Sequence, residues 1–429
     1  MALLRTLLAA FSLTLLAAAP ARAVAPDTLD AVARDYVRLV LELGKRDDGY
    51  VDAYYGPAEW RTAAEAHPRT VPQLAEGAAA LRRRLLAIHT PFPSVEHDRT
   101  LFLLSQIDAA ATRLRMLQGE HLSFREEATG LYGVDLSVRP LADFDPILER
   151  ISRLVPGDGP LAERVDAFMD RFVIPRERLD AVMRAAIAEC RRRTIAHIPL
   201  PRGEHFTLEF VTGRSWSGYN WYQGNYNSLI QVNTDQPVRM GRAIDLGCHE
   251  GYPGHHAYNM LLEQRLARGR GWVEFMVYPL YSPQSFIAEG SANYGIELAF
   301  PGNERLEFER RVLYPLAGIS SEGAEINFQL QEAIRELTGA RTTIAADFLD
   351  GRIDRAEAIR RTQRYGLMSE TRARQSIAFT EQYRAYVINY GLGRDLVAQF
   401  VEQVSPVGTP WFGMRRLLTE PISRLQGIR

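Results

Sequence analysis

Cysteine is scarce. Cys190 and Cys248 are the only two in 429 residues, too few for a disulfide framework and without the C-x-x-C spacing of a zinc ribbon. A charge excess of either sign is also missing. Lys+Arg 51 against Asp+Glu 52 leaves a net charge of -1, so there is no basic surplus for neutralising phosphates, and nucleic-acid binding is not expected. Lysine is nearly absent, Lys45 being the only one, and arginine carries almost all the positive charge. No internal repeat or low-complexity tract occurs. Gly 32 and Pro 23 are close to average usage and 46% of residues are hydrophobic, which excludes a disordered or collagen-like chain. A chain of this size buries a large core, as one domain or as two lobes.

Long apolar runs are absent except at the N-terminus. There Arg5 precedes the apolar stretch Leu7 to Ala19, and Ala21-Arg22-Ala23 forms an A-x-A cleavage site. The run is too short to cross a hydrocarbon core of about 30 Å. Residues 1–23 therefore read as a signal peptide cleaved near Ala23, and the mature chain is expected to be exported, to a periplasm or outside the cell, with no membrane span. Cys190 and Cys248 are able to pair in an oxidising compartment. Sequence separation carries no distance, however, and two buried free thiols are the expected state.

What the sequence does have is helical periodicity. Leu29 to Leu43 repeats apolar residues at i, i+3, i+4 with Asp27 as N-cap. Val71 to Ile88, Asp98 to Leu117, Pro146 to Leu154, Leu161 to Phe172 and Arg176 to Ile195 read as further helices. Residues 24–198 form an expected N-terminal helical lobe, and residues 199–429 a metal-binding catalytic lobe, separate from the first or continuous with it. Phe206 to Val211 and Ser228 to Asn233 read as strands, separated by the Gly-, Asn- and aromatic-rich loop Ser215 to Tyr226. Ser228 to Asn233 is expected at a sheet edge, where an extended peptide adds as another strand. Asn233 is then a substrate contact, or a turn former after the strand. Helical patterning resumes at Met240, and Pro315 is expected to kink or split the segment Glu304 to Leu337. The expected fold is mainly α, with a small β element before a metal-binding helix.

Three of nine histidines fall in Cys248-His249-Glu250-Gly251-Tyr252-Pro253-Gly254-His255-His256, and imidazoles clustered beside a carboxylate suit a borderline-soft divalent metal. His249 and His255 are six apart, which on an unbroken helix places them roughly 240° from one another. Pro253 and Gly254 are expected to break the helix after Tyr252 and let His255 swing back toward His249. His256, about 10 Å further along the axis of a regular helix from His249, is the rival ligand. Glu289, on a later helix, is the expected third ligand, with Glu297 as alternative and Asn293 orienting a ligand. Zn(2+) is the default ion for such a set. Glu250, next to the first ligand, would act as general base on metal-activated water. Tyr390, or alternatively Tyr386 or Arg384, would stabilise the oxyanion. The aromatic cluster around Trp216, Tyr219 and Tyr222 either lines a cleft or covers the core.

His249-Glu250-Gly251-Tyr252-Pro253-Gly254-His255, followed by Glu289-Gly290-x-Ala292-x-Tyr294, resembles an uncharacterised bacterial domain-of-unknown-function family. Its members carry H-E-x-x-P-G-H and E-G-W-A-x-Y and are regarded as gluzincin-like zinc metallopeptidases. The resemblance covers roughly Tyr219 to Arg394. It implies a mainly helical, two-lobed fold with a deep cleft, ligands His249, His255 and Glu289, and Glu250 as base. Ser291 stands where the family has Trp, and of its C-terminal motif only Tyr390-Gly391-Leu392-Gly393 is matched. The function expected is a zinc-dependent peptidase or amidase acting on a peptide or small amide. The competing readings are a non-catalytic helical binding protein with a structural metal site and a metal-dependent hydrolase of non-peptide esters or amides.

Overall fold

The computed structural model describes residues 27–425; the expected signal peptide and its cleavage site lie outside them. Most described residues are helical, as the periodicity predicts. Helix α1 (Leu29–Leu43) buries Val32, Ala33, Tyr36, Val37 and Val40 along one stripe. Its N-cap is Thr28, whose hydroxyl accepts from the Ala31 N–H at 3.2 Å, while Asp27 pairs with Arg84 instead. Strand β1 (Val51–Tyr54) was not legible in the sequence. After the helices Val71–Leu86, Val95–Leu117, Asp145–Leu154 and Leu161–Asp170 comes α2 (Leu179–Ile195).

A three-stranded sheet follows: β2 (His205–Val211), β3 (Gly218–Gly224) and β4 (Asn227–Asn233), in the order β2-β4-β3. β4 is parallel to β2 and antiparallel to β3. It is thus the central strand, which corrects the expectation that Ser228 to Asn233 forms an edge. Its alternation of buried Ser228, Ile230 and Val232 with half-buried neighbours fits that place. β3 supplies the second partner from within the segment read as a loop.

The chain then enters α3 (Met240–Leu246), a π-helical turn at Gly247–Gly251 and α4 (His255–Leu262). Strand β5 (Val277–Pro279) pairs antiparallel with β1 and ties the N-terminal segment to this region. Helices α5 (Pro283–Ala299), α6 (Thr338–Leu349) and α7 (Ile388–Val404) complete the surroundings of the site. The segment beginning at Glu304 is split, though at Gly318, which adopts φ 70° as a C-cap. Pro315 lies within the helical run Glu304–Ala317, directly after a π-helical turn at Glu309–Leu313, an irregularity of the kind that accommodates a residue without an N–H.

Two apolar cores form. The larger joins residues from Val32 through Ile187 and Ile244 to Val401, so it crosses residue 198. The smaller packs Phe144, Leu148 and Ile151 against Leu330, Ile344 and Ile377. A cleft of about 1630 Å³ runs between them, lined from both sides. Cys190 on α2 and Cys248 in the π-helical turn are disulfide-bonded, with Cα atoms 5.4 Å apart. This overturns the free-thiol expectation. The cause is close packing of α2 on the turn: a Cβ on Gly247 would lie 3.2 Å from the Ile187 nitrogen.

Candidate metal centre

The break predicted at Pro253-Gly254 is present. The π-helical turn carrying His249 and Glu250 ends at Tyr252, which is extended, and a new helix begins at His255. Gly254 makes the reversal sterically feasible. A Cβ there would sit 1.9 Å from the His249 carbonyl oxygen, and its N–H donates to the Cys248 carbonyl at 3.1 Å. His255 therefore re-enters beside His249. Helix α5 brings Glu289 up to the pair because glycines remove the obstructing side chains. A Cβ on Gly295 would lie 2.7 Å from Pro253 Cγ, and one on Gly290 would lie 2.5 Å from the Gly393 carbonyl oxygen of α7.

The three side chains converge. His249 Nε2 is 3.2 Å from His255 Nε2 and 3.2 Å from Glu289 Oε2, and His255 Nε2 is 3.4 Å from Glu289 Oε1. Donor atoms bound at 2.0–2.1 Å around a tetrahedral ion stand about 3.3–3.4 Å apart; the two distances from His249 Nε2 are close to that length, His255 meets the other oxygen of Glu289, and one ligand atom from each residue lies within 4.8 Å of the others. Hydrogen bonding among the three is incomplete. Glu289 Oε2 is buried and has no hydrogen-bond partner among the described residues, an arrangement that is costly unless something else occupies the common point. The donor set fits a divalent cation such as zinc.

The electrostatics are those of a crowded acidic site. Burial pushes the Glu250 carboxyl above its ordinary range; the neighbouring histidines oppose the shift and Glu289 reinforces it. Burial opposes charge on His255, but the carboxylates of Glu289, Glu250 and Asp52 outweigh it and raise its pKa to about 9. Asp52, from β1, is pushed up to about 6 by burial, against a hydrogen bond from the Tyr219 hydroxyl at 3.1 Å. Asn220 on β3 donates to the Glu250 carbonyl at 2.7 Å and fixes that residue's backbone. A Cβ on Gly218 would meet Glu250 Oε1 at 2.7 Å, so only glycine lets β3 come this close.

The remaining expected residues separate. Tyr386 donates its hydroxyl to Glu289 Oε1 at 2.8 Å. Tyr390 lines the cleft with its ring 5.8 Å from that of Tyr386. Arg384 points elsewhere and pairs with the buried Glu127. Asn293 reaches the main-chain oxygen of Glu289 at 3.0 Å rather than a ligand side chain. Asn233 lines the cleft, but its amide donates to the Arg214 and Trp216 carbonyls and accepts from Asp235 N–H, all at 2.9 Å; it holds the loop before β3. Glu297 is engaged by Arg394. His256 is fully buried, 2.7 Å from Ser228 Oγ and 3.2 Å from Glu204 Oε2, turned away from the other two imidazoles. Trp216 stacks on Tyr219 at the cleft wall, whereas Tyr222 is buried. Asp52 and Asn220 were not singled out from the sequence, since neither lies near the histidines along the chain.

No family model matches the sequence, and no curated protein matches it. Solved structures do. A protein from Colwellia psychrerythraea described as a lipoprotein aligns with a TM-score of 0.52 at 16% identity, over 93% of this chain and 68% of that one. BsuCP aligns with a TM-score of 0.45 at 12% identity, over 92% and 89%. A carboxypeptidase from Deinococcus radiodurans aligns with a TM-score of 0.37 at 13% identity, over 91% and 88%. The first likeness is one of fold.

Proposed function

We propose that this chain is a metal-dependent hydrolase of peptide or amide bonds, with His249, His255 and Glu289 as ligands. One observation carries the reading: two imidazoles and a carboxylate each bring a ligand atom within 4.8 Å of the others, beside the buried carboxyl of Glu250, at the wall of a cleft. A zinc ion held there would supply a Lewis acid for the substrate carbonyl and make water acidic enough to lose a proton near neutral pH.

The rest of the chemistry belongs to the chain. The water oxygen bonds to the carbonyl carbon and the C–N bond breaks; Glu250 takes one proton from that water on a carboxylate oxygen and returns it to the leaving amine nitrogen, so no net proton is consumed within the step. Tyr386 is committed to Glu289, which leaves Tyr390 as the phenol able to donate to the developing oxyanion, a contribution of about 3 kcal/mol.

Export is part of the proposal. The Cys190–Cys248 disulfide suits an oxidising compartment, and no helix among the described residues is long and apolar enough to cross a membrane. The test is digestion of a mixed peptide library by the zinc-loaded chain and by Glu250→Gln. Cleavage by the first, reduced by orders of magnitude in the second, is the expected result; no cleavage, or equal cleavage, refutes the proposal.

A further inference from the structure

Arginine carries nearly all the positive charge of this chain, and the cleft is rich in it. The other arginines lining the cleft each face a carboxylate, as Arg113 does Asp47, Arg372 Asp166 and Arg394 Glu297. Arg341 has no such partner among the described residues. Its one hydrogen bond is a long one, from Nη2 to Ser376 Oγ at 3.4 Å, and its side chain is open to the cleft.

The fold fixes where this free guanidinium stands. Arg341 lies on the face of α6 that also presents Thr338 and Thr342 to the cleft. Gly391 lets α6 approach α7, since a Cβ there would lie 2.6 Å from Thr338 Cγ2. Arg341 and Tyr390, the residue before Gly391, line the same cleft. Tyr390 packs on Tyr386, and Tyr386 donates to Glu289. The cleft thus holds the carboxylates of Glu250, Glu289 and Asp52 and, on α6, a guanidinium with no carboxylate partner among the described residues.

We infer that Arg341 anchors a substrate carboxylate in the cleft, which makes the preferred substrate a peptide that bears an acidic group, either its C-terminal carboxylate or an acidic side chain. This rests on the hydrolase reading above and adds the substrate class to it. A carboxylate is matched by a planar guanidinium that offers paired donors. Such an anchor gives the bound peptide one direction along the cleft.

The test measures binding, so it does not depend on turnover. Zinc-loaded Glu250→Gln chain is titrated calorimetrically with one peptide in three forms: free acid, C-terminal amide, and amide with a terminal aspartate. The same titrations follow in Glu250→Gln/Arg341→Gln, with thermal unfolding to verify the fold. The expected result is binding of one or both carboxylate-bearing forms roughly tenfold to a hundredfold tighter than the plain amide, the range spanned by one charge-assisted pair, with that preference lost when Arg341 is replaced. The free-acid and aspartate arms tell the terminal carboxylate from the side chain. Equal affinities, a preference that survives Arg341→Gln, or no binding of any form overturns the inference. Failure of the hydrolase reading has a different signature: the binding preference persists while the unmutated chain cleaves none of the three.

Discussion

Gly290 and Gly393 touch across a helix crossing: a Cβ on Gly290 would lie 2.5 Å from the Gly393 carbonyl oxygen. The contact joins the residue after Glu289 to the helix that carries Tyr390. It explains why both sequence segments need glycine, because each supplies a functional side chain and a bare backbone for the other to rest against. Gly290→Ala should force α5 and α7 apart at a cost of about 1–3 kcal/mol. The expected outcome is a lower melting temperature together with weaker zinc retention, measured by thermal unfolding and chelator competition.

Tyr386 acts on the cluster through Glu289. Tyr386→Phe removes the 2.8 Å hydrogen bond to Oε1 and leaves the ring packing in place. Loss of an outer hydrogen bond to a ligand typically weakens metal affinity about 10–100-fold. Competition with a chromophoric chelator should read a loss in that range, with little change in unfolding temperature of the metal-free chain.

The disulfide holds α2 to the residue before His249, closing a separation of 58 residues. Cys190→Ser/Cys248→Ser should lower stability by about 2–4 kcal/mol and loosen the turn that orients His249. Denaturant unfolding with and without zinc is the measurement, and a reducing agent acting on the unmutated chain should give the same direction of change.

Much of this was legible because it is local. The six-residue interval between His249 and His255, interrupted by Pro253-Gly254, encodes its own break, and the structure has that break where the spacing predicts it. Asp52, Tyr219 and Asn220 were not assigned to the site because they reach it through tertiary pairing: β1 by way of β5, and β3 by way of β4. β3 was hidden because glycine, asparagine and exposed aromatics weaken its strand signature, although Asn220, Tyr222 and Gly224 alternate as buried positions. Misreading β3 as loop is also what moved β4 to the edge. Thr28 and Asp27 compete for the α1 cap one residue apart, and the nearby Arg84 takes the carboxylate.

Stability in acid should track Asp245, which anchors α3 ahead of the histidine segment. Burial raises its pKa, but Arg305, Arg242 and Arg335 outweigh this and hold it below the ordinary value; Arg305 Nη1 donates to Oδ1 at 2.8 Å. With a folded pKa below the unfolded one, the contribution is complete above about pH 4 and disappears as pH falls through the folded value. Melting temperature should therefore fall below about pH 4 more steeply in the unmutated chain than in Asp245→Asn, and the variant should be less stable at neutral pH. Parallel acid profiles would contradict this.

Hydrolysis by this chain requires that His249, His255 and Glu289 share one cation. The direct measurement is zinc stoichiometry after equilibration and gel filtration for the unmutated chain, His255→Ala and His256→Ala. The geometry predicts about one equivalent in the unmutated chain and in His256→Ala, and loss in His255→Ala. Zinc retained in His255→Ala, or under about half an equivalent in the unmutated chain, would contradict it.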